Sequence, residues 1–268
     1  MKKILHLSCI FLFAGVMAVS GQNDVPAGFD VSSFNRKFAT ARWLTDYDRA
    51  FWAAMQMLEN ATSCPGHEAI NDWFCYTDAD TLWHVVFLSF RAPDGPCEVL
   101  CSYSLDKAFS PHPDPQAPGP DFARPYALAL YTASQRLMRD HPDLPVEMNR
   151  YVRREEDGKL RVWFFPSPFQ NDRAVYGGEF SFLLSGDGKE ILSSTGYYAG
   201  TFRSFPLEGG PSEISLDYTD VDAPTLGGIL FVWQYKELFD KIRLVTARSV
   251  STVLRDHTGE YYWIHVER

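Results

Sequence analysis

Three ionisable side chains carry the chemistry that the sequence offers most directly: His84, Glu179 and Glu190. Glu179 and Glu190 flank a glycine turn at Gly186, in two runs that read as adjacent strands. Two carboxylates facing each other across such a hairpin could cleave a glycosidic bond, retaining chemistry asking for about 5 Å between them. Glutamates on the wet face of a hairpin more often only solvate it. His84 alternates with Val86, Leu88 and Phe90, so the four share one face by period two. On that pattern Cys97 and Cys101, in the next strand, come to the same face, and a Cys/His metal site is the sharper alternative. It lacks a CxxC pair and a second nearby histidine.

Five cysteines are present, with Cys9 inside an N-terminal apolar run. The other four, Cys64, Cys75, Cys97 and Cys101, are even in number, which in an exported chain implies two disulfides and three pairings. Along one strand Cys97 and Cys101 would stand about 13 Å apart at ~3.3 Å per residue. A disulfide holds its Cα atoms within about 7 Å. Each is therefore expected to bond back to Cys64 or Cys75.

Other chemistries find less support. No HExxH or GxSxG occurs. Pro211-Ser212 followed by Asp217 resembles the metal-binding loop of JAB/MPN peptidases, but residues 199–205 lack the HxH pair that those enzymes need. Gly177-Gly178 opens a strand instead of a helix, which suits a bulge and not a phosphate cradle. No cofactor and no metal set is expected.

Residues 1–21 read as a signal peptide: Lys2 and Lys3, an apolar core over 4–19, and small residues at 18–20. The apolar run is shorter than the roughly 20 residues that span a bilayer, and no transmembrane segment is expected in the mature chain. Cleavage would remove Lys2 and Lys3 and take the formal charge of −9 further down. An acidic chain without a Lys/Arg cluster is a poor match for nucleic acid. Arg150, Arg153 and Arg154 form the densest basic run, followed at once by Glu155, Glu156 and Asp157, and read as a solvated strand end.

The elements that must position these residues follow from periodicity. Residues 22–33 read as a flexible tether and 34–268 as one domain, with a Pro-rich stretch over 109–121 that is read as a surface loop and could otherwise divide it. Helices are expected over 42–60, capped by Thr45, and over 125–139, with Pro125 at the first position. Strands are expected over 72–76, 81–90 and 97–105, then 146–154, 159–165, 175–185, 190–198, 213–218, 249–255 and 261–266. Residues 228–239 suit either state. Strands in hairpin order, without regular alternation with helices, make an α+β fold: predominantly antiparallel sheet with two or three packed helices.

Leu160-Arg161-Val162-Trp163-Phe164-Phe165-Pro166, then Val175-Tyr176-Gly177-Gly178-Glu179-Phe180, then the Asp187-Gly188 turn, resemble a pattern in uncharacterised exported bacterial proteins of Bacteroidota or Proteobacteria type. That resemblance implies export, to the periplasm or cell surface, and brings no activity with it. Aromatic residues make up 15% of the chain, a share that packs sheets and also lines glycan or peptide grooves. The expected function is a non-enzymatic envelope or binding protein with a protein or glycan partner. The alternatives are a hydrolase acting on peptide or glycan, and an inhibitor or immunity-type protein binding a basic partner.

Overall fold

A 29-residue helix, α1 (Val31–Glu59), packs one face into the larger hydrophobic core and leaves the other to solvent. The computed structural model describes residues 28–59, 64, 66–168 and 172–268; the expected signal peptide and the first part of the expected tether lie outside the described residues. The helix starts eleven positions before the expected one, so that the end of the expected tether, residues 31–33, is its first turn. Its cap is Asp30, whose Oδ1 accepts the Ser33 N–H at 2.8 Å. Thr45 is no cap: its hydroxyl donates to the Ala41 carbonyl one turn back, at 2.9 Å. Phe34, Ala41, Leu44, Tyr47, Ala50 and Ala54 recur at helical spacing and are buried.

Around this helix the fold is α+β. The first sheet is an antiparallel meander of β1 (Asp72–Thr77), β2 (Trp83–Phe90), β3 (Cys97–Leu105) and β4 (Pro111–Pro113). The last is a correction, since the proline content of 109–119 argued against any regular structure. His112 pairs with Ser104 between two prolines, and β4 sits at the sheet edge, where the ladder tolerates their missing N–H groups. A second helix, α2 (Pro120–Asp140), follows; Pro120, not Pro125, stands at its start. The second sheet is another meander, β5 (Met148–Arg154), β6 (Leu160–Pro166), β7 (Arg173–Leu184) and β8 (Ile191–Pro206).

Both meanders are sandwiched. Trp83, Val85 and Phe87 of the first sheet, with Tyr151, Trp163 and Tyr176 of the second, face the core around α1. Val86, Leu88, Val162, Phe164, Phe180 and Phe182 face the core around α2. The hairpin tip between β7 and β8 rests on α2, where a Cβ on Gly188 would come within 2.3 Å of the Pro125 carbonyl oxygen. The third sheet, in the order β12 (Tyr261–Glu267), β11 (Ser249–Arg255), β10 (Lys241–Thr246), β9 (Glu213–Tyr218), departs from hairpin order. Here β9 and β10 run parallel, joined through α3 (Leu226–Tyr235), the segment that sequence left ambiguous.

Tyr47 and Asp48 close the seam between the two meanders. The Tyr47 hydroxyl accepts the Cys75 N–H of β1 at 3.0 Å and also meets the Val152 backbone of β5. Asp48, 8% exposed, accepts from the Tyr151 hydroxyl at 2.9 Å and from Gln234 of α3 at 3.1 Å. Beside them Arg150 of β5 donates to Asp72 of β1 at 2.6 Å.

The cysteines correct the expectation of two disulfides. Cys64 and Cys101 are bonded, with Cα atoms 5.6 Å apart, while Cys75 and Cys97 are buried free thiols. Phe87 pairs with Cys101 and Leu88 with Val99, so Leu100 is bulged out of register. One extra residue reverses the facing of everything beyond it. Cys101 therefore points with Cys75 toward the α1 core, and Cys97 toward the α2 core.

Two outcomes are expected. Alkylation of the chain unfolded without reductant should label Cys75 and Cys97 and leave the Cys64 and Cys101 peptides linked. Replacing both Cys64 and Cys101 by serine opens a loop of 37 positions and should cost up to about 4 kcal/mol in urea unfolding. Burial pushes the Asp48 carboxyl from 3.8 up to about 7. Across that window the unfolded state binds fewer protons than the folded one, so stability falls as pH rises from about 4 to 7 and levels off above. Asp48→Asn should gain on the wild type by about 4 kcal/mol between those pH values; a gap independent of pH would refute the assignment.

Candidate functional site

Period-two alternation places Glu179 and Ser181 opposite in facing to Phe180 and Phe182, and the register extends this across the sheet. Tyr151, Trp163, Ser181 and Thr195 stand in one row on the α1 side, and Arg153 and Arg161 face each other in the next. The N-terminal half of α1 crosses above these rows with Arg36, Lys37 and Thr40. Between helix and sheet lies a cleft of about 320 Å³, with Leu226 of α3 at one end and Thr195 and Gly196 of β8 at its edge.

Four cationic side chains line it, Arg36, Lys37, Arg153 and Arg161, against one carboxylate, Glu179. Two arginines directly across a ladder repel. Glu155 resolves this by accepting from Arg161 at 2.8 Å and from Arg153 at 3.2 Å. The Arg153 guanidinium also lies over both Trp43 and Trp163, at 5.2 and 5.1 Å from their ring centres. Both groups are thereby held before any ligand arrives. Trp163 and Phe165 supply an apolar floor, and Thr40, Ser181 and Thr195 add hydroxyls.

Glu179 is not on a wet face. Its carboxylate accepts the Gly227 N–H in the first turn of α3, while Thr225 caps the same helix by accepting from Gly228 at 3.0 Å. Burial raises its pKa above the ordinary value, opposed by the Gly227 amide, the Lys37 ammonium and contacts with Thr225 and Leu226. Lys37 in turn donates to the Pro224 carbonyl at 2.6 Å. A Cβ on Gly227 would lie 2.6 Å from the Glu179 oxygen, so a larger residue there would displace the carboxylate.

The three residues singled out from sequence do not converge. Glu179 pairs across the ladder with Tyr197, whereas Glu190 is exposed in the turn, its N–H bonded to the Ser185 hydroxyl. The pair therefore cannot face each other. His84 belongs to the other meander, held by Asp114 at 3.0 Å and Asp78 at 3.1 Å and stacked on Tyr76 at 4.8 Å. It shares a face with Cys97 but not with Cys101, for the bulge at Leu100 turns the latter away and into its disulfide. Among the described residues no group of three His, Cys, Asp or Glu side chains is placed to hold a metal ion.

The cationic residues are those that sequence reasoning missed. Arg150, Arg153 and Arg154 looked like one solvated run; alternation sends Arg153 to the cleft, Arg150 to Asp72 and Arg154 to the Tyr126 ring of α2. The alternation of Arg161 with Val162 ahead of Trp163 was the available signal. Volume does not single the cleft out. A hollow of about 480 Å³ beside Gly28 balances Arg248 and Arg268 against Asp30, Asp222 and Glu267.

Gly227→Ala should push the Glu179 carboxylate off the helix and cost about 1–2 kcal/mol in urea unfolding, the scale of a lost cap. Combined with Glu179→Ala it should cost clearly less than the sum of the two single changes; strict additivity would show that the two groups are not coupled. Scans against family models, curated proteins and solved structures found no match to this chain.

Proposed function

We propose that the protein is an exported, non-catalytic binding protein whose cleft between α1 and β5–β8 takes a small anionic ligand with an apolar part. The observation that carries this is the convergence of Arg36, Lys37, Arg153 and Arg161 over an aromatic floor, in a chain whose formal net charge is −9. Arginines braced by a shared carboxylate and by indole faces offer forked donors to a carboxylate, sulfate or phosphate. Trp163 and Phe165 would bury the ligand's apolar part. The local charge favours an acidic partner over the basic one that the net charge alone would invite.

Hydrolysis of a glycan or peptide finds less support at this site. Glycoside cleavage uses two carboxylates. Glu179 is the one that lines the cleft, and it is engaged by the N-terminus of α3. The lining includes no histidine or cysteine to activate or act as a nucleophile.

Export is supported by the lysine-led apolar leader and the Cys64–Cys101 disulfide. No described helix is long and apolar enough to cross a membrane. Residence in the periplasm or at the cell surface, and kinship with the exported bacterial proteins that share the 160–188 pattern, are part of the same proposal.

The test is calorimetry with N-acetylphenylalanine, benzoate and phenyl phosphate, each beside its neutral amide or alcohol counterpart. At least one anion should bind tenfold or more tightly than its neutral partner, weaken at high salt, and lose tenfold or more in Arg153→Gln and Arg161→Gln. Equal or absent binding of every pair would overturn the proposal.

A further inference from the structure

We infer that the outer edge of β8 accepts an extended acidic peptide as a fifth strand of the second sheet, its side chains on the α1 side entering the mouth of the cleft. This rests on reading the cleft as an anion site and names the partner that fills it.

The first observation is the edge. β8 is the last strand of its sheet, and among the described residues no strand pairs with its outer side. Leu192, Ser193, Ser194, Thr195 and Gly196 are all exposed. An open edge of this kind is a template for another chain, which proteins usually defend with lysine, proline or bulges. Bulges do interrupt the β7–β8 ladder, between Tyr176 and Gly178 and between Leu183 and Leu184. Between them Ser193–Tyr198 runs in unbroken register opposite Gly178–Leu183. Six residues at ~3.3 Å each give about 20 Å of straight edge. No charged residue occurs from Ile191 to Phe202, so the defence by charge is missing where the strand is most regular.

The second observation is the continuity of that edge with the cationic cleft. Thr195 and Gly196 belong to both, and Thr195 ends the row that starts at Tyr151 and Trp163. A strand added beside them continues the row by one position. Every second side chain of the newcomer then points to the α1 side, toward the cationic side chains of the helix, Arg36 and Lys37; Arg161 and Arg153 stand three and four strands away, about 14 and 19 Å across the sheet. In strand addition the main chain supplies affinity and alternate side chains meeting pockets supply specificity. Charge decides among occupants. A second copy of the chain pairing through its own β8 would bring none, because Ile191–Pro206 contains no acidic residue. An acidic peptide brings carboxylates to the positions facing the cleft.

The probe is Ac-Glu-Val-Glu-Val-Glu-Val-NH₂, titrated into the full chain beside N-acetylglutamate amide and a Lys-Val hexapeptide. It should bind at least tenfold more tightly than either, and lose threefold or more both in Arg36→Gln and at high salt. N-methylation of one alternate set of its amides should abolish binding, while methylation of the other set changes it by less than about threefold, since only alternate N–H groups face a partner strand. Amide shift changes should centre on Ser193–Tyr198. Binding no tighter than the single residue, or tolerance of both methylated sets, overturns strand addition and leaves the anion cleft standing. Failure of the hexapeptide, N-acetylglutamate amide and the aromatic anions alike removes both. A concentration-dependent dimer that protects the Ser193–Tyr198 amides from exchange assigns the edge to self-pairing and also overturns the inference.

Discussion

Two neighbouring side chains on one helix, Tyr47 and Asp48, set the relation between the sheets. The adjoining strands β1 and β5 share no ladder, so the amides along that boundary must find other partners or lose their hydrogen bonds in a dry interior. The Tyr47 hydroxyl reaches an amide of β1 and the backbone of β5 together. Asp48 ties β5 and α3 to the same turn of α1. Everything on the α1 side depends on this. The same helix carries Arg36, Lys37 and Thr40 over the second sheet, so the contacts that hold its middle in the seam also fix one wall of the cleft.

Short-range periodicity foretold much of this architecture. The alternation of Glu179 and Ser181 with Phe180 and Phe182 correctly separated two faces, and the glycine turn at Gly186 correctly joined β7 and β8. Failures came where one residue changes the phase or where a distant element supplies the meaning. The bulge at Leu100 reversed the facing of Cys101 relative to Cys97, which no count by twos can reveal. Asp30 was overlooked as a cap because the polar opening of α1 looks like linker until Phe29 is seen stacked on His265 of the last strand.

The cleft was the least readable feature. Arg36 and Lys37 come from α1, Arg153 and Arg161 from two strands more than a hundred positions later, and no local window contains them together. Composition pointed the other way, because it averages over the surface and the whole chain is acidic. Glu179 was picked out for a different reason, as one of a pair on a wet hairpin. Its actual setting, against the glycines that open α3, is a tertiary contact made by two segments 48 positions apart.

The parallel ladder of β9 and β10 bears on the order of assembly. In each of the first two sheets every strand meets the next one along the chain. In the third, Glu213 must meet Lys241 and Tyr218 must meet Thr246, with a whole helix between them. Neither strand can find the other until α3 has coiled and folded back over the gap, and closing that longer loop carries an entropic toll that hairpins escape. The carboxyl-terminal layer should accordingly be the late arrival, completing the enclosure of the amino-terminal end of α1 after the two meanders are in place.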